Sequence, residues 1–300
     1  MRAYVTGATG FVGGHVAAEL RSEGAEVRDE RVDLLDRGGL ERVMDGCDVV
    51  IHSAALYSYD APERDFQRVN VEGTANVIEA CLSKGVRRLL HTSTAGTCGP
   101  VPGREATEAD SPPGWELDIP YKRTKLAAER LVMDAAGHAL EAVVVNPTTP
   151  IGAGDRKPTP TGRMIAGVAR GRIRAYVATT GLNVVDVRDV ARGHALALER
   201  GKSGERYLLG GANLPLDELF GAIADLAGRP SPRLRIPYLI ARAAAAVGLA
   251  NKDEVRLARL PMYFSSKKAQ DRLGYAPGPV ASALADAVEE ALSPNRKGEA

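Results

Sequence analysis

The stretch Thr6-Gly7-Ala8-Thr9-Gly10-Phe11-Val12-Gly13 decides the fold of this chain of 300 residues. It directly follows a short apolar run and directly precedes a helical period over 12–23. Glycines at this spacing let the backbone turn tightly and approach a pyrophosphate, which the positive end of the helix attracts. The spacing is Gly-x-x-Gly-x-x-Gly rather than the commoner Gly-x-Gly-x-x-Gly, so a merely tight strand-to-helix turn is the alternative. We interpret it as a dinucleotide-binding turn.

Short apolar runs rich in β-branched residues alternate with helical periods through the first half of the chain. These runs occupy residues 3–6, 25–27, 48–52, 88–92 and 142–146. Parallel strands that are buried on both faces read as continuous apolar runs, and a helix connects each one to the next. The alternation therefore predicts an α/β fold, a doubly wound parallel sheet of the Rossmann type.

A loop rich in Pro, Thr and Gly, 148–162, ends this alternation. It contains too many helix and strand breakers for a regular element. We therefore expect a dinucleotide-binding domain over residues 1–150 and a smaller substrate-binding region over residues 151–300. The chain is expected to return to the first domain around residues 181–200.

The overall charge and the cysteines limit the class of protein. The 39 Lys and Arg balance 38 Asp and Glu to a net charge of +1, which gives no basic field for nucleic acid or anionic lipid. Cys47, Cys81 and Cys98 are widely spaced, which fits a reducing compartment. The segment Ile240–Ala250 is too short to span a membrane and contains Arg242. We expect a cytoplasmic protein that neither spans a membrane nor binds nucleic acid.

The end of the second strand should carry the residue that selects between NAD and NADP. The sequence there has charges of both signs. Asp29 or Glu30 would favour NAD through the ribose hydroxyls, whereas Arg28 or Arg31 would favour the 2′-phosphate of NADP. The residues alone leave both alternatives open.

Tyr121 and Lys125 are four residues apart, so they share one face of a predicted helix. A tyrosine beside a lysine ammonium can serve as general acid and base, because the cation stabilises the phenolate. A second pair with the same spacing, Tyr263 and Lys267, follows Pro261 in an extended stretch, and a helix cap is predicted between its two members. We therefore choose the first pair.

A polar strand end, 91–94, precedes the catalytic tyrosine in the sequence. The carboxyl ends of parallel strands form the ligand-binding edge of such sheets, so the hydroxyl of Thr94 should reach the same substrate oxygen as the tyrosine. His52, His91 and His194 fall on separate elements with no Cys or carboxylate at ligand spacing. We therefore predict no metal site.

As a set, these motifs resemble the extended short-chain dehydrogenase/reductases over nearly the whole chain. The matching stretches are 6–13, 50–55 (Val-Ile-His-Ser-Ala-Ala), 70–74 (Asn-Val-Glu-Gly-Thr), 92–94, Tyr121 with Lys125, and Asn146-Pro147. Within that superfamily, residues 145–152, 157–163 and 181–183 resemble the hopanoid-associated sugar epimerase branch, a neighbour of dihydroflavonol-4-reductase-like proteins.

The resemblance implies roles for individual residues. Tyr121 would be the acid/base, Lys125 would hold the nicotinamide ribose, and Thr94 would be the Ser/Thr partner. Asn146 would face the substrate. The implied cofactor contacts, besides Tyr121 and Lys125, are Gly7, Thr9, Gly10, Phe11, Val12, Gly13, Asp33, Leu34, Ala54, Ala55 and Pro147.

The chain also departs from the family pattern. The segment between the second strand and Asp33 is unusually short, which removes residues that normally choose between NAD and NADP. Many sugar-nucleotide epimerases have an arginine for the substrate diphosphate where this chain has Leu182-Asn183. We expect Arg163, or as second choice Arg259, to replace it.

The resemblance implies an NAD(P)-dependent enzyme, with NAD as the expected cofactor and NADP as the alternative, and a homodimer. The first hypothesis is a sugar-nucleotide 4-epimerase, for which a UDP-sugar is the candidate substrate. The alternative is an NADPH-dependent carbonyl reductase that uses the same residues. A redox-sensing protein without chemistry is disfavoured, because both Tyr121 and Lys125 are present. The loop 57–63 and the region 150–180 are expected to shape the substrate pocket.

Overall fold

The computed structural model describes residues 1–57, 61–137, 139–178 and 180–293. Its strands are β1 Arg2–Thr6, β2 Glu26–Arg28, β3 Val49–His52, β4 Arg88–Thr92, β5 Glu141–Pro147, β6 Thr149–Ile151, β7 Ala175–Val177, β8 Gly181–Asp186, β9 Arg206–Leu209, β10 Ala212–Pro215 and β11 Leu234–Ile236. Its α-helices are α1 Phe11–Ser22, α2 Arg37–Met44, α3 Glu63–Phe66, α4 Gly73–Ser83, α5 Pro120–Ala135, α6 Pro160–Ala169, α7 Val187–Arg200, α8 Leu216–Leu226, α9 Tyr238–Ala246, α10 Lys252–Leu257, α11 Lys267–Leu273 and α12 Ala281–Leu292. A π-helical segment, Gln67–Glu72, joins α3 to α4.

A six-stranded parallel sheet forms the centre of the molecule. Its strand order is β2-β1-β3-β4-β5-β9, and every neighbouring pair is parallel. The order reverses between β1 and β3, and open α/β sheets bind ligands in the crevice at this reversal. The doubly wound parallel sheet predicted from the sequence is confirmed.

Helices cover both faces of this sheet. On one face, α1, α7 and α11 pack against the strands, and on the other face α2, α4 and α5 do so. All four residues of β3 are buried, as are Ala3 to Thr6 of β1. Burial on both faces explains the continuous apolar runs in the sequence.

A smaller layer follows the large sheet. It contains the three-stranded sheet β10-β8-β6 and the two-stranded sheet β11-β7. Helices α6, α8 and α12 share an apolar core with this layer. The loop predicted over 148–162 therefore contains a short strand, β6, which pairs with β8 through backbone hydrogen bonds that its single proline, Pro150, does not block.

The chain returns to the large sheet later than the sequence predicts. Strand β8 belongs to the small layer, whereas α7 packs against the large sheet and β9 pairs with β5 at its edge. The return thus begins at residue 187 rather than 181, continues to residue 209, and is followed by a second return at α11. Among the described residues, no helix combines the length and the apolar character that crossing a membrane requires.

Candidate active site

Two adjoining cavities lie at the carboxyl edge of the large sheet. The first, of about 470 Å³, is lined by the glycine turn, the ends of β3 and β4, and the loop after β6. The second, of about 390 Å³, lies between α5 and the small layer. Both are lined by Tyr57, Thr94, Tyr121, Thr148, Thr149 and Thr161. Two of the three predicted catalytic residues therefore stand where the two cavities meet.

The glycine turn forms a cradle that any side chain would fill. Gly7 has φ +72°, and a Cβ on it would lie 2.7 Å from the backbone nitrogen of Ala54. A Cβ on Gly13 would lie 2.3 Å from the carbonyl oxygen of Gly7. Gly10 caps α1 without a side-chain hydrogen bond, so backbone N–H groups are presented at the start of the helix. Together with Thr9, Phe11 and Val12, which also line the first cavity, this turn fits the diphosphate of a dinucleotide.

Two of the other expected cofactor residues line the first cavity and three do not. Ala55 and Pro147 face the cavity. Ala54 lies behind the glycine turn, where its backbone N–H donates to Thr6 Oγ1 at 3.1 Å. Leu34 is buried in the core, and the carboxylate of exposed Asp33 accepts a hydrogen bond from the backbone N–H of Leu35. The cavity ends before it reaches Asp33 and Leu34, so their contact with adenine stays a prediction.

Some of the charged side chains at residues 28–31, at the end of β2, already bind other parts of the protein. Arg28 donates to the backbone carbonyls at the end of α2, and Asp29 forms an ion pair with Arg21 at 2.7 Å. Tyr4 donates its hydroxyl hydrogen to the carbonyl of Glu30 at 3.1 Å. This leaves the side chains of Glu30 and Arg31 as the candidates for selecting NAD or NADP.

Tyr121 lies in the first turn of α5, which Pro120 begins. Its ring stacks on that of Tyr57 with centroids 4.6 Å apart. Burial raises the pKa of Tyr121 above its usual value of 10, Tyr57 raises it further, and a hydrogen bond with Thr94 lowers it. The phenol is therefore protonated in the absence of a further positive charge, and it is ready to donate a proton.

Lys125 lies one helical turn after Tyr121 and is buried. Its ammonium donates to the carbonyl of Thr92 at 2.7 Å and lies 3.5 Å from His91 Nε2. Burial lowers the pKa of Lys125 from 10.5 to about 8, and the charge of Glu129 opposes this. Lys125 remains mostly cationic at neutral pH, and it lines the first cavity, where a ribose hydroxyl could accept from it.

The expectation that Asn146 faces the substrate is wrong. Its side chain is fully buried and lines neither cavity. The two hydrogens of its Nδ2 are shared among the carbonyl of Thr94 at 3.1 Å, Thr97 Oγ1 at 2.9 Å and Glu129 Oε2 at 2.9 Å. Because Thr97 also donates to the carbonyl of Thr94 at 2.8 Å, Asn146 and Thr97 together hold Thr94 from behind.

Glu129 is the centre of this buried network, and the sequence analysis missed it. Its carboxylate accepts hydrogen bonds from Ser93 at 2.6 Å and Thr97 at 2.7 Å, and it forms an ion pair with Arg206 at 2.7 Å. The signal available in the sequence was its position four residues after Lys125 on the same helix face. The hydroxyl of Ser93 is thus engaged by Glu129 although Ser93 borders the first cavity, whereas Thr94 lines both cavities.

The two candidate arginines differ in position. Arg163 lies at the exposed rim of the second cavity, and it donates to the carbonyl of Pro158 at 2.9 Å. Arg259 does not line that cavity, because its guanidinium stacks over the ring of Trp115 at 5.2 Å. Contact of Arg259 with a substrate diphosphate therefore stays a prediction, and it would require the guanidinium to leave the ring of Trp115.

The second cavity is mainly apolar. Its lining includes Ile119, Met164, Ile173, Leu182, Leu216, Leu257, Met262 and Phe264. Among the described residues that line it, the one buried charge is that of Lys122, which an ion pair with Glu116 neutralises. The remaining charged residues at this cavity, Arg163 and Glu254, are exposed at the rim. The expected contributors 57–63 and 150–180 line it in part, and residues 58–60 and 179 lie outside the described residues.

The loop after β6 brings two cations to the first cavity. Arg156 and Lys157 line it opposite the glycine turn. His15 Nε2 hydrogen-bonds the carbonyl of Ala153 at 2.9 Å and so ties this loop to α1. Asp155 accepts from the backbone N–H and hydroxyl of Thr159, which fixes the turn before α6. The sequence predicts that the region 150–180 shapes the substrate pocket, and the structure shows that Arg156 and Lys157 of this loop line the first cavity.

The buried histidines have partners of their own. His52 contacts the hydroxyls of Thr6 and Thr74, and its ring lies 5.2 Å from that of His91. His194 contacts the hydroxyl of Thr92 at 2.9 Å. Within the described residues, His, Cys, Asp and Glu nowhere form a group of three or more that could hold a metal ion. The competing tyrosine, Tyr263, precedes α11, so it shares no helix face with Lys267.

Comparison with known proteins places the chain in a family. A family model described as the NAD dependent epimerase/dehydratase family matches residues 3–210. A putative dihydroflavonol 4-reductase of Synechocystis is 35% identical over 319 residues, covering 95% of this chain and 93% of the relative. Sterol demethylase protein B of Methylococcus capsulatus is 31% identical over 320 residues, covering 96% and 97%.

A solved structure gives the same result for the fold and the cofactor. The UDP-glucose 4-epimerase of Thermus thermophilus, in complex with NAD, superimposes with a TM-score of 0.79. It is 25% identical, and the match covers 98% of this chain and 100% of that chain. The cradle at the glycine turn therefore has the fold of a chain that binds a nicotinamide dinucleotide.

Proposed function

Because this chain belongs to the NAD-dependent epimerase/dehydratase family of extended short-chain dehydrogenase/reductases and is an NAD(P)-dependent enzyme, we propose that it interconverts a ketone and a secondary alcohol on an apolar substrate. The observation that carries the proposal is the position of Tyr121 and Thr94 between a dinucleotide-shaped cavity and an apolar cavity. A carbonyl in the apolar cavity would meet the phenol at that junction.

The lining of the second cavity supports an apolar substrate. Its inner wall consists largely of aliphatic and aromatic side chains, and Glu116 neutralises the buried cation Lys122. A substrate diphosphate would need charged donors in that wall, because leaving such charges without partners costs affinity. The names of the two relatives, a dihydroflavonol 4-reductase and a sterol demethylase protein, refer to a dihydroflavonol and a sterol rather than to a sugar nucleotide.

The residues act as follows in the reducing direction. Tyr121 donates its proton to the substrate oxygen, and Thr94 hydrogen-bonds the same oxygen and fixes its position. Lys125 holds a positive charge near neutral pH, which stabilises the phenolate left behind. The dinucleotide, when bound, supplies the hydride. The apolar wall excludes water from the reacting carbonyl.

A sugar-nucleotide 4-epimerase is the second candidate, with a UDP-sugar as substrate. It is supported by the likeness to the UDP-glucose 4-epimerase and by Arg163 at the rim of the second cavity, where a diphosphate could approach. The same Tyr121, Thr94 and Lys125 would serve, with the hydride returned to the other face of the sugar.

The experiment that distinguishes the two candidates measures whether the cofactor is oxidised in net terms during turnover. The purified chain is given NADH or NADPH with a hydrophobic cyclic ketone, and separately UDP-galactose with NAD. We expect oxidation of one reduced cofactor per ketone reduced, and no heat of UDP-galactose binding in calorimetry. Conversion of UDP-galactose to UDP-glucose without net change of cofactor would overturn the proposal.

Arg163→Met provides a matched test of the second candidate. In an epimerase, loss of a charged hydrogen bond to the diphosphate should raise KM for the UDP-sugar about 10- to 100-fold. In the reductase, KM for a neutral ketone should change by less than about twofold, because Arg163 lies at the exposed rim.

A further inference from the structure

Helix α9 exposes two large aliphatic side chains and buries two of its alanines. Leu239 is 67% exposed and Ile240 is 60% exposed, whereas Ala241 and Ala245 are buried. At 100° per residue, the buried alanines centre on one side of the helix, and Leu239, Ile240 and Val247 centre on the opposite side. A helix of a globular protein normally shows the reverse arrangement.

The exposed apolar surface extends beyond the helix. Val247 is 73% exposed and Leu249, just after α9, is 82% exposed. Leu234 of the neighbouring strand β11 is 62% exposed. Several large apolar side chains exposed within one short segment of a monomer indicate an interaction site. We call Leu234, Leu239, Ile240, Val247 and Leu249 the α9 surface.

Positive charge predominates in the segment that carries the α9 surface. Residues 229–259 contain seven Arg and Lys and two acidic residues, a net charge of +5 against +1 for the whole chain. Among the described residues, Arg233, Arg242 and Lys252 have no acidic partner. Exposed apolar side chains in a cationic segment match an anionic lipid surface, which takes the apolar groups between its acyl chains and attracts the cations.

The α9 surface also adjoins the second cavity. Ala241 and Ala245 pack against Val255 of α10. The opposite side of α10 contributes Glu254 and Leu257 to the lining of that cavity. One helix therefore separates the exposed apolar surface from the substrate site.

We propose that the α9 surface docks the enzyme on an anionic lipid bilayer and that the apolar substrate enters the second cavity from that bilayer. The docking step stands on exposure and charge alone. Only the delivery of substrate rests on the proposed function. The bilayer is bound at its surface, since α9 has nine residues and a span requires about twenty.

The test measures retention of the full chain on sedimented vesicles, without substrate or cofactor. Phosphatidylcholine vesicles are compared with vesicles that contain about 30% phosphatidylglycerol. We expect at least about tenfold stronger binding to the anionic vesicles, and loss of most of that gain at about 0.5 M NaCl. Equal absence of binding to both would overturn the proposal.

Variants distinguish the α9 surface from general stickiness. The double variant Leu239→Ser and Ile240→Ser should weaken binding at least about tenfold, because two inserted side chains are lost. Arg242→Gln should weaken it about fivefold, as expected for one cation at an anionic surface. The control Leu226→Ser, on α8 at 48% exposure, should leave binding unchanged.

Two further readouts make the result decisive. The double variant should reduce a water-soluble ketone at the wild-type rate, because neither residue lines a cavity. A wild-type dimer that the double variant converts to monomers, together with no vesicle binding, would identify a second copy as the partner and overturn the proposal. Vesicle binding without ketone turnover would refute the proposed function and leave the docking intact.

Discussion

The carboxyl edge of the large sheet and the segment 229–259 differ in which groups they bury and which they expose. At the sheet edge, polar groups are buried and nearly all are hydrogen-bonded, as the four partners of Glu129 show. In the segment 229–259, large apolar groups are exposed and alanines are buried. The first arrangement holds the reacting groups in fixed positions, and the second leaves apolar surface whose burial can drive association.

The difference also explains why the overall composition misleads. A net charge of +1 suggested no field for anionic lipid, but it is the sum of +5 in the segment 229–259 and −4 in the rest of the chain. Averaging over 300 residues removed the local charge. Variants at the sheet edge should therefore lose turnover and keep vesicle binding, and variants of the α9 surface should do the opposite.

The largest effect is expected for Tyr121→Phe. Removing the transferable proton should lower kcat/KM at least about 100-fold, while cofactor affinity and vesicle binding stay within about twofold. Steady-state kinetics and cofactor titration measure this. Tyr263→Phe is the control and should keep the wild-type rate. If Tyr121→Phe kept an activity within about threefold of wild type, the reaction could not be assigned to the sheet edge.

Lys125→Met should weaken cofactor binding about 10- to 100-fold, the value of a hydrogen bond to a charged group. It should also raise the pKa of Tyr121, because a stabilising positive charge is lost. Alcohol oxidation needs the phenolate, so its acid limb should move to higher pH. An unmoved acid limb would show that Lys125 does not act on Tyr121. Lys267→Met, exposed on α11, serves as the control.

The buried histidines should make the cofactor half sensitive to acid. Burial lowers the pKa of His52 to about 3 and that of His194 to about 4, below the unfolded value of about 6.5. The unfolded chain therefore binds more protons, and stability falls as the pH drops from about 6.5 towards about 4. At pH 5, each histidine should cost about 2 kcal/mol relative to pH 8.

His194→Gln tests this with denaturant unfolding at the two pH values. The loss of stability between pH 8 and pH 5 should shrink by about 2 kcal/mol, whatever the variant does to stability at pH 8. An unchanged loss in His194→Gln would show that this histidine is protonated in the folded chain.

The smallest effects on stability and cofactor binding are expected for glycine-to-alanine substitutions, one in the glycine turn and one in the small layer. Gly13→Ala puts a Cβ against the backbone of Gly7, so cofactor binding should weaken about tenfold and stability should fall by about 1–3 kcal/mol. In Gly221→Ala, on α8, the new Cβ meets no atom within 4 Å, so stability should rise by about 0.5–1 kcal/mol. Denaturant unfolding measures the stability of both variants, and cofactor titration measures their affinity for the dinucleotide. If the two variants changed these quantities equally, the glycine turn would not be the cofactor cradle.

Local sequence patterns predicted the sheet and the cavity walls. The glycine turn, Thr94, Tyr121 and Lys125 are recognisable because one strand end or one helix turn sets their geometry. Asn146 and Arg259 could not be predicted in the same way, because distant partners decide where their side chains point. Thr97 and Glu129 draw the amide of Asn146 inward, and Trp115 holds Arg259. For α9, the sequence shows two apolar faces, and the packing of α10 decides which is buried.

The ion pair between Glu129 and Arg206 has a consequence for synthesis of the chain. Glu129 sits on α5, but Arg206 begins β9, the last strand to join the large sheet. A ribosome that has released only the first 150 residues has made five of the six strands, yet β5 is an open edge and the carboxylate lacks its cation. The catalytic edge cannot be completed during translation until β9 has emerged.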